Sequence, residues 1–72
     1  MDTRIKIVNQ AIKLAGKFYQ QHGYIHREGF KYWQSPHPQE RLMFDMACTA
    51  FDLIQGVELM EIVSELEDEG LL

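Results

Sequence analysis

The chain has 72 residues, a net charge of −4 and one cysteine, Cys48. This length allows one small domain, and chains of about this size bury only ~60% of their unfolded surface, so a partner chain often adds stability. A single cysteine excludes an intramolecular disulfide and suits a reducing compartment, and no apolar run reaches the roughly 20 residues that span a bilayer. We therefore expect one domain over residues 1–72 of a cytoplasmic protein.

The charged residues are divided unequally along the chain. Residues 1–41 contain all seven basic residues and three acidic ones, whereas residues 42–72 contain eight acidic residues and no base. The two parts can neutralise each other within one molecule if they lie side by side. The same division can steer association with a charged partner, so the sequence leaves both interpretations open.

Residues 3–22 follow a helical pattern. Apolar side chains fill about half of the helical wheel, and mostly polar side chains fill the other half. Asp2 or Thr3 is a suitable N-cap, and Gly23 is suited to the left-handed conformation that ends many helices. Gly16 falls on the polar side, where we expect a surface glycine; a close approach of another backbone is the alternative.

Residues 24–37, YIHREGFKYWQSPH, interrupt the helical pattern. Two short apolar–polar alternations, at 24–26 and 30–32, flank a segment that contains Gly29. This arrangement predicts a short β-hairpin, with an irregular loop or a single helical turn as the alternative. Some of the aromatic residues here should close one end of a helical core. There are four of them: Tyr24, Phe30, Tyr32 and Trp33.

The most regular amphipathic segment is 38–55, PQERLMFDMACTAFDLIQ, and we expect the rest of the domain to pack around it. Pro38 suits the first position of a helix and Glu40 the third, and His37 before the proline is held in extended geometry. Eight apolar residues fall within an arc of about 180° on the wheel. They are Leu42, Met43, Met46, Ala47, Ala50, Phe51, Leu53 and Ile54.

A third helix is predicted over residues 57–69, with carboxylates on the side opposite its apolar stripe. The short junction at Gly56 favours antiparallel packing of the second and third helices, with one bent helix as the alternative. Gly70 should end the helix, and Leu71 and Leu72 are suited to folding back over its end. The predicted fold is therefore a small all-α, three-helix domain with an aromatic connector.

No arrangement of residues in the sequence indicates catalysis or a metal site. His22 and His26 are four residues apart, but Gly23 between them argues against a shared helix face, and no further ligand stands at a suitable spacing. No nucleophile motif surrounds Cys48, and no glycine-rich phosphate loop is present. We therefore expect a protein that is not an enzyme and that has no cofactor and no metal.

Nucleic-acid binding is an alternative function. Lys6, Lys13 and Lys17 share one polar helix face, and Arg27 and Lys31 lie among the aromatic residues of the connector. Such a mixture suits stacking on single-stranded bases, although the acidic net charge argues against it. In a further alternative, the carboxylate face of the third helix mimics nucleic acid and blocks a DNA-binding site on another protein.

Protein association is the function that the apolar pattern favours. A helix that forms one wall of a small domain needs an apolar stripe only somewhat over 100° wide, and the first two helices each exceed this. The surplus predicts a homodimer or a groove for a larger protein, unless the connector and the C-terminal leucines cover it. Small size, amphipathic helices and the lack of catalytic motifs make the chain similar in type to small regulatory accessory proteins of bacterial or phage genomes.

Two groups of residues are predicted to form the interface. Large aromatic residues are the usual anchors of interfaces, and charges at the rim mostly change association rates. The predicted anchors are Tyr24, Phe30, Tyr32 and Trp33. The predicted steering charges are Lys6, Lys13, Lys17, Glu58, Glu61 and Glu65.

Overall fold

The helices of the domain lie close to their predicted positions. The computed structural model describes residues 2–25 and 31–72. These residues form three α-helices and one short 3₁₀ helix, and they contain no strand, which confirms the all-α fold. The elements are α1 (Thr3–Gln21), the 3₁₀ helix (Tyr32–Gln34), α2 (Pro38–Gln55) and α3 (Leu59–Asp68).

Both ends of α1 are closed by the residues that the sequence indicated. Asp2 is the N-cap, and its Oδ1 accepts a hydrogen bond of 2.9 Å from the backbone N–H of Arg4. Gly23 has a φ of 87°, a left-handed conformation that lets Tyr24 N–H donate to the carbonyl oxygen of Tyr19. The rings of Tyr19 and Tyr24 stack at 4.7 Å, so the chain folds back over the helix end.

The connector supplies a plug for the helical core. Tyr32 is fully buried in the 3₁₀ helix, as expected for an aromatic residue that closes the core, and its ring meets that of Tyr19 edge-on at 5.8 Å. The predicted hairpin falls largely on residues 26–30, which lie outside the described residues. At its described ends, Tyr24 and Ile25 are not in a strand, and Tyr32 begins the 3₁₀ helix.

The bounds of α2 agree with the prediction, but its buried face is rotated relative to the predicted apolar arc. Phe44, which was outside that arc, is 2% exposed, whereas Leu53 and Ile54 inside the arc are each 80% exposed. Trp33 packs against Phe44, with 5.0 Å between their ring centroids. The 3₁₀ helix therefore covers the Phe44 side of α2, and this contact decides which side of the helix is buried.

The junction between α2 and α3 is a true break and not a bend in one long helix. Gly56 adopts a left-handed conformation with φ 66°, and three residues separate the two helices. The third helix begins at Leu59, two residues later than predicted. At its C-terminal end Leu71 N–H donates to the carbonyl oxygen of Leu66 at 2.9 Å, and Leu72 packs against the core.

The main helix contact joins α1 and α2 through small residues. Tyr19 near the end of α1 contacts Glu40 at the start of α2, and Leu14 lies beside Ile54, so the two helices run in opposite directions. Ala11 and Ala15 of α1 and Ala47 of α2 are fully buried, which permits a close approach of the two backbones.

Gly16 does not lie at the surface, where the sequence predicts it. The structure buries it within α1. The alternative prediction, a close approach of another backbone, agrees with this burial.

A buried carboxylate ties the connector to both long helices. Glu40 is 3% exposed, and it accepts hydrogen bonds from the Tyr19 hydroxyl at 2.9 Å and from the Ser35 hydroxyl. Ser35 Oγ in turn accepts the backbone N–H of His37 at 3.0 Å. Because buried polar groups are costly unless they are paired, this set of bonds fixes the path of the chain into α2.

Replacing Glu40 by alanine should lower the free energy of unfolding by about 2–4 kcal/mol, because the two hydroxyl groups lose a buried acceptor. Tyr19→Phe keeps the ring and removes one hydrogen bond, so it should cost about 1 kcal/mol. Urea denaturation followed by circular dichroism measures both changes. Equal stability of Glu40→Ala and the wild type would contradict the structural role of this carboxylate.

Candidate interaction surface

The aromatic residues predicted as interface anchors mostly belong to the fold. Tyr32 has no exposed surface, so it cannot contact a partner while the domain holds this structure. Tyr24 is 46% exposed, but one face of its ring is stacked on Tyr19. Trp33 is half-buried against Phe44. These contacts close one end of the domain, and among the described aromatic residues of the connector only Tyr24 is classed as exposed.

Phe30, the fourth predicted anchor, lies outside the described residues. The 3₁₀ helix also makes polar contacts with α3. Trp33 Nε1–H donates to Glu67 at 3.5 Å, and Gln34 donates to the same carboxylate at 2.9 Å. The 3₁₀ helix is therefore held to α3 as well as to α2.

A different apolar surface runs along α1 and α2. The 3₁₀ helix covers the side of α2 that carries Phe44, since Trp33 packs on Phe44. The start of α3 lies beside the C-terminal part of α2, where Cys48, Asp52 and Leu53 line a depression with Leu59. The other side of α2 is continuous with one edge of α1. We call this surface the α1–α2 face, and it comprises Ile7, Leu14, Phe18, Leu42, Met46, Ala50, Leu53 and Ile54.

The α1–α2 face is the largest concentration of exposed apolar side chains on the two long helices. Leu42 is 52% exposed, and Leu53 and Ile54 are each 80% exposed. A shallow groove lies between the helices, where Leu14 and Ala50 are among the lining residues. Full burial of a leucine or isoleucine side chain is worth about 1.5–3 kcal/mol, so covering this face would favour association.

The predicted apolar arc of α2 includes Leu42, Leu53 and Ile54 of this face, whereas the predicted interface anchors are aromatic residues of the connector. The apolar arc of α2 is about 180° wide, which is more than one contact with a neighbouring helix can cover. Which part of that arc is left uncovered depends on where α1 and the 3₁₀ helix pack. The predicted anchors in the connector follow from the general frequency of aromatic side chains at interfaces.

Charged residues border the α1–α2 face on both sides. Lys6, Lys13 and Lys17 are exposed on the polar side of α1, with Gln10 and Gln21 between them and Leu14 on the wheel. Asp45 and Asp52 are exposed on α2, with Thr49 between them and Leu42 on the wheel, and Arg41 is exposed beside them. Within residues 2–25 and 31–72, none of the three lysines and two aspartates forms an ion pair. One edge of the face thus carries three lysines, and the opposite edge carries two aspartates beside Arg41, whose guanidinium donates to the carbonyl oxygen of Ser35 at 3.0 Å.

The predicted acidic steering charges lie together around α3. Glu58, Glu61 and Glu65 are all exposed. The hydrogen bond with Glu58, together with the negative charges of Glu58 and Glu65, raises the pKa of Glu61 above its ordinary value. The part of this shift that comes from the charges of Glu58 and Glu65 is a repulsion between carboxylates, so a positive group brought close to them would be favoured.

The two ends of the chain are joined by Arg4. Its guanidinium group binds the Glu69 carboxylate with two hydrogen bonds, one of them 2.9 Å long, and reaches Asp2 at 2.8 Å. Glu65 lies 3.6 Å away. This cluster satisfies part of the charge division within one molecule, as one of the two interpretations of the sequence required.

The remaining reactive groups show no catalytic arrangement in the part of the chain that is described. Burial raises the pKa of the Cys48 thiol to about 11, and the negative charge of Asp45 adds to the effect, so the thiol is protonated near neutral pH. His22 Nδ1 lies 2.9 Å from the carbonyl oxygen of Phe18. No group of three or more His, Cys, Asp or Glu side chains among the described residues is placed to hold a metal ion.

Two further observations bear on the class of protein. Among the described residues, no helix combines the length and the apolar character needed to cross a membrane. Comparisons of the chain with models of protein families, with curated proteins and with solved structures found no match.

Arg4→Met should lower the stability of the domain at pH 7 and should have less effect as the pH falls below about 4. Hydrogen bonds from Arg4 hold the pKa values of Asp2 and Glu69 below their ordinary range. Their ionised forms therefore stabilise the fold above the ordinary carboxylate pKa, and this contribution is lost as the pH falls through the lowered values. Thermal unfolding in low salt from pH 2 to 7 measures the difference.

Gln20→Met is the control for this experiment. Gln20 is exposed on the same helix and carries no charge, so its replacement should have an effect on stability that does not change with pH. An Arg4→Met effect of equal size at pH 2 and pH 7 would show that the ion pairs do not stabilise the fold.

Cys48 should react slowly with iodoacetamide in the folded protein at pH 8. With a pKa of about 11, only about one thiol in 1,000 is ionised at this pH, so alkylation should be on the order of 100-fold slower than that of an ordinary cysteine. The rate should rise as the pH approaches 11. The same protein in urea supplies the control, and equal rates in both states would contradict the raised pKa.

Proposed function

We propose that the protein is a non-enzymatic interaction module with a regulatory role, and that it binds another protein molecule through the α1–α2 face. The binding partner is a larger protein or a second copy of the chain. We also propose a cytoplasmic location, because a single thiol suits a reducing compartment. The observation that carries the proposal is the exposure of Leu42, Leu53 and Ile54 on one face.

The exposed leucine and isoleucine side chains differ from scattered surface residues. Single exposed apolar residues are normal, but a continuous apolar patch with a charged border is typical of an interaction site. The α1–α2 face has both features, since its apolar residues extend over two adjacent helices between a basic and an acidic edge. The proposed anchors are therefore aliphatic residues of α1 and α2 in place of the aromatic residues of the connector.

The alternative functions receive less support from the contacts. Binding of single-stranded nucleic acid would use aromatic rings as stacking platforms, but Tyr32 is buried and Trp33 packs against Phe44. The exposed lysines of α1 supply positive charge, but Phe18 beside them is partly buried against the core. Mimicry of nucleic acid would use the carboxylates of α3, and part of this set is already engaged by Arg4.

A non-enzymatic role agrees with the chemistry of the candidate groups. The raised pKa of Cys48 keeps its thiol protonated, which makes it a weak nucleophile. The carboxylates of α3 are exposed, whereas a general acid at neutral pH needs an apolar site that raises its pKa. The buried carboxylate of Glu40 is engaged by Tyr19 and Ser35, where it holds the fold together.

Photo-crosslinking in cells that express the protein tests the proposed surface. A photoreactive residue placed at Gln10, which lines the groove beside Leu14 and Ile54, should form a covalent adduct with the bound protein. The same residue placed at Ser64, which is exposed on α3, should form little adduct. Mass spectrometry of the adduct shows whether the partner is a second copy or another protein.

Two matched substitutions separate the α1–α2 face from the connector. Ile54→Glu should abolish the Gln10 adduct, because it places a charge in the apolar interface, and it should leave the fold intact because Ile54 is 80% exposed. Ile25→Glu is the control, since Ile25 is 85% exposed beyond the end of α1. Adduct loss only with Ile25→Glu, or no adduct from Gln10 in the wild type, would refute the proposed surface.

A further inference from the structure

The two borders of the α1–α2 face carry opposite charges, so the face of one copy is complementary to the face of a second copy. We propose that the face binds a second copy of the chain, with a two-fold axis that lies in the plane of the face and runs along the helices. The helix α1 of each copy then lies over α2 of the other copy, in a four-helix layer. This inference rests on the proposed function, for which it names the partner.

The dimensions of the face suit such a dimer. At 1.5 Å per residue, α1 and α2 are each roughly 27 Å long, and two helices side by side are about 20 Å wide. A stable interface of standard size buries about 800 Å² on each partner, which is close to one sixth of the 4827 Å² surface of this chain. A small domain with an uncovered apolar face also gains more from a partner than a large one does.

The charged edges select the orientation of the second copy. Rotation about an axis along the helices exchanges the two edges, so the basic edge of one copy lies opposite the acidic edge of the other. Lys13 and Lys17 then meet the edge that carries Asp45 and Asp52, and symmetry repeats the contact on the other side. Rotation about an axis across the helices would instead place each edge opposite its own kind, and like charges would repel.

The same edges argue against a partner that is uniformly basic or uniformly acidic. Such a partner would be attracted to one edge of the face and repelled by the other. A second copy satisfies both edges at once, and within the described residues these side chains have no ion pair of their own to give up. Opposite charges along the two sides of an apolar seam are also a common way to set the pairing of helices.

Analytical ultracentrifugation of purified protein tests the dimer. At about 100 µM and low salt, the wild type should sediment with twice the mass of the 8.5 kDa chain. Lys13→Glu combined with Lys17→Glu should give a monomer, and so should Asp45→Lys combined with Asp52→Lys, because each variant has two edges of the same sign. An equimolar mixture of the two variants should restore the dimer, since opposite charges then face each other on both sides.

A variant that combines the two lysine and the two aspartate substitutions distinguishes the two orientations. The signs of its two edges are exchanged, so it should dimerise like the wild type if unlike edges face each other. Glu65→Lys combined with Asp68→Lys is the control, because it makes the same change in net charge as the aspartate variant on exposed positions of α3 and should remain a dimer. Circular dichroism verifies that each variant is folded.

Each other outcome rejects a defined part of the proposal. A wild type that is monomeric at this concentration overturns the second copy as partner. The proposed function would then stand if the Gln10 adduct contains another protein, and it would fall if no adduct forms. A wild-type dimer that persists in both double variants overturns the facing of unlike edges.

Discussion

The close contact between α1 and α2 is the constraint on which the rest of the domain depends. Ala11 and Ala15 of α1 and Ala47 of α2 are fully buried on the sides where these helices meet. Small side chains bring the two backbones close together but cover only a narrow sector of each helix. The 3₁₀ helix and α3 then cover one side of the pair, and the other side keeps its apolar residues at the surface.

The polar contacts determine the path of the connecting segments. Glu40 accepts hydrogen bonds from Tyr19 and Ser35, so one buried carboxylate joins the end of α1, the connector and the start of α2. Burial of such a group is tolerated because its oxygens are paired, and its removal would leave two hydroxyl groups without this acceptor. The aromatic rings around it form a closed end for the core, which explains why they contribute little to the surface.

The charges of the chain divide into two sets with different roles. Arg4, Asp2 and Glu69 neutralise each other and connect the N-terminal end of α1 to the C-terminal end of α3. The lysines of α1 and the aspartates of α2 have no such partner among the described residues, and they border the apolar face on opposite sides. A surface with one basic and one acidic edge is the physical basis for the proposed association with a second copy.

Local patterns in the sequence determined the elements of this protein, and packing determined its surface. Helix limits depend on residues close in the chain, so Asp2, Gly23, Pro38 and Gly56 allowed the bounds of α1 and α2 to be predicted within about one residue. Burial depends on which elements meet, and this is why Phe44 is inside while Ile54 is outside, although Phe44 was excluded from the predicted apolar arc. Helix periodicity showed that α2 was too apolar to be covered completely, but only the tertiary contacts decided which of its apolar residues remain exposed.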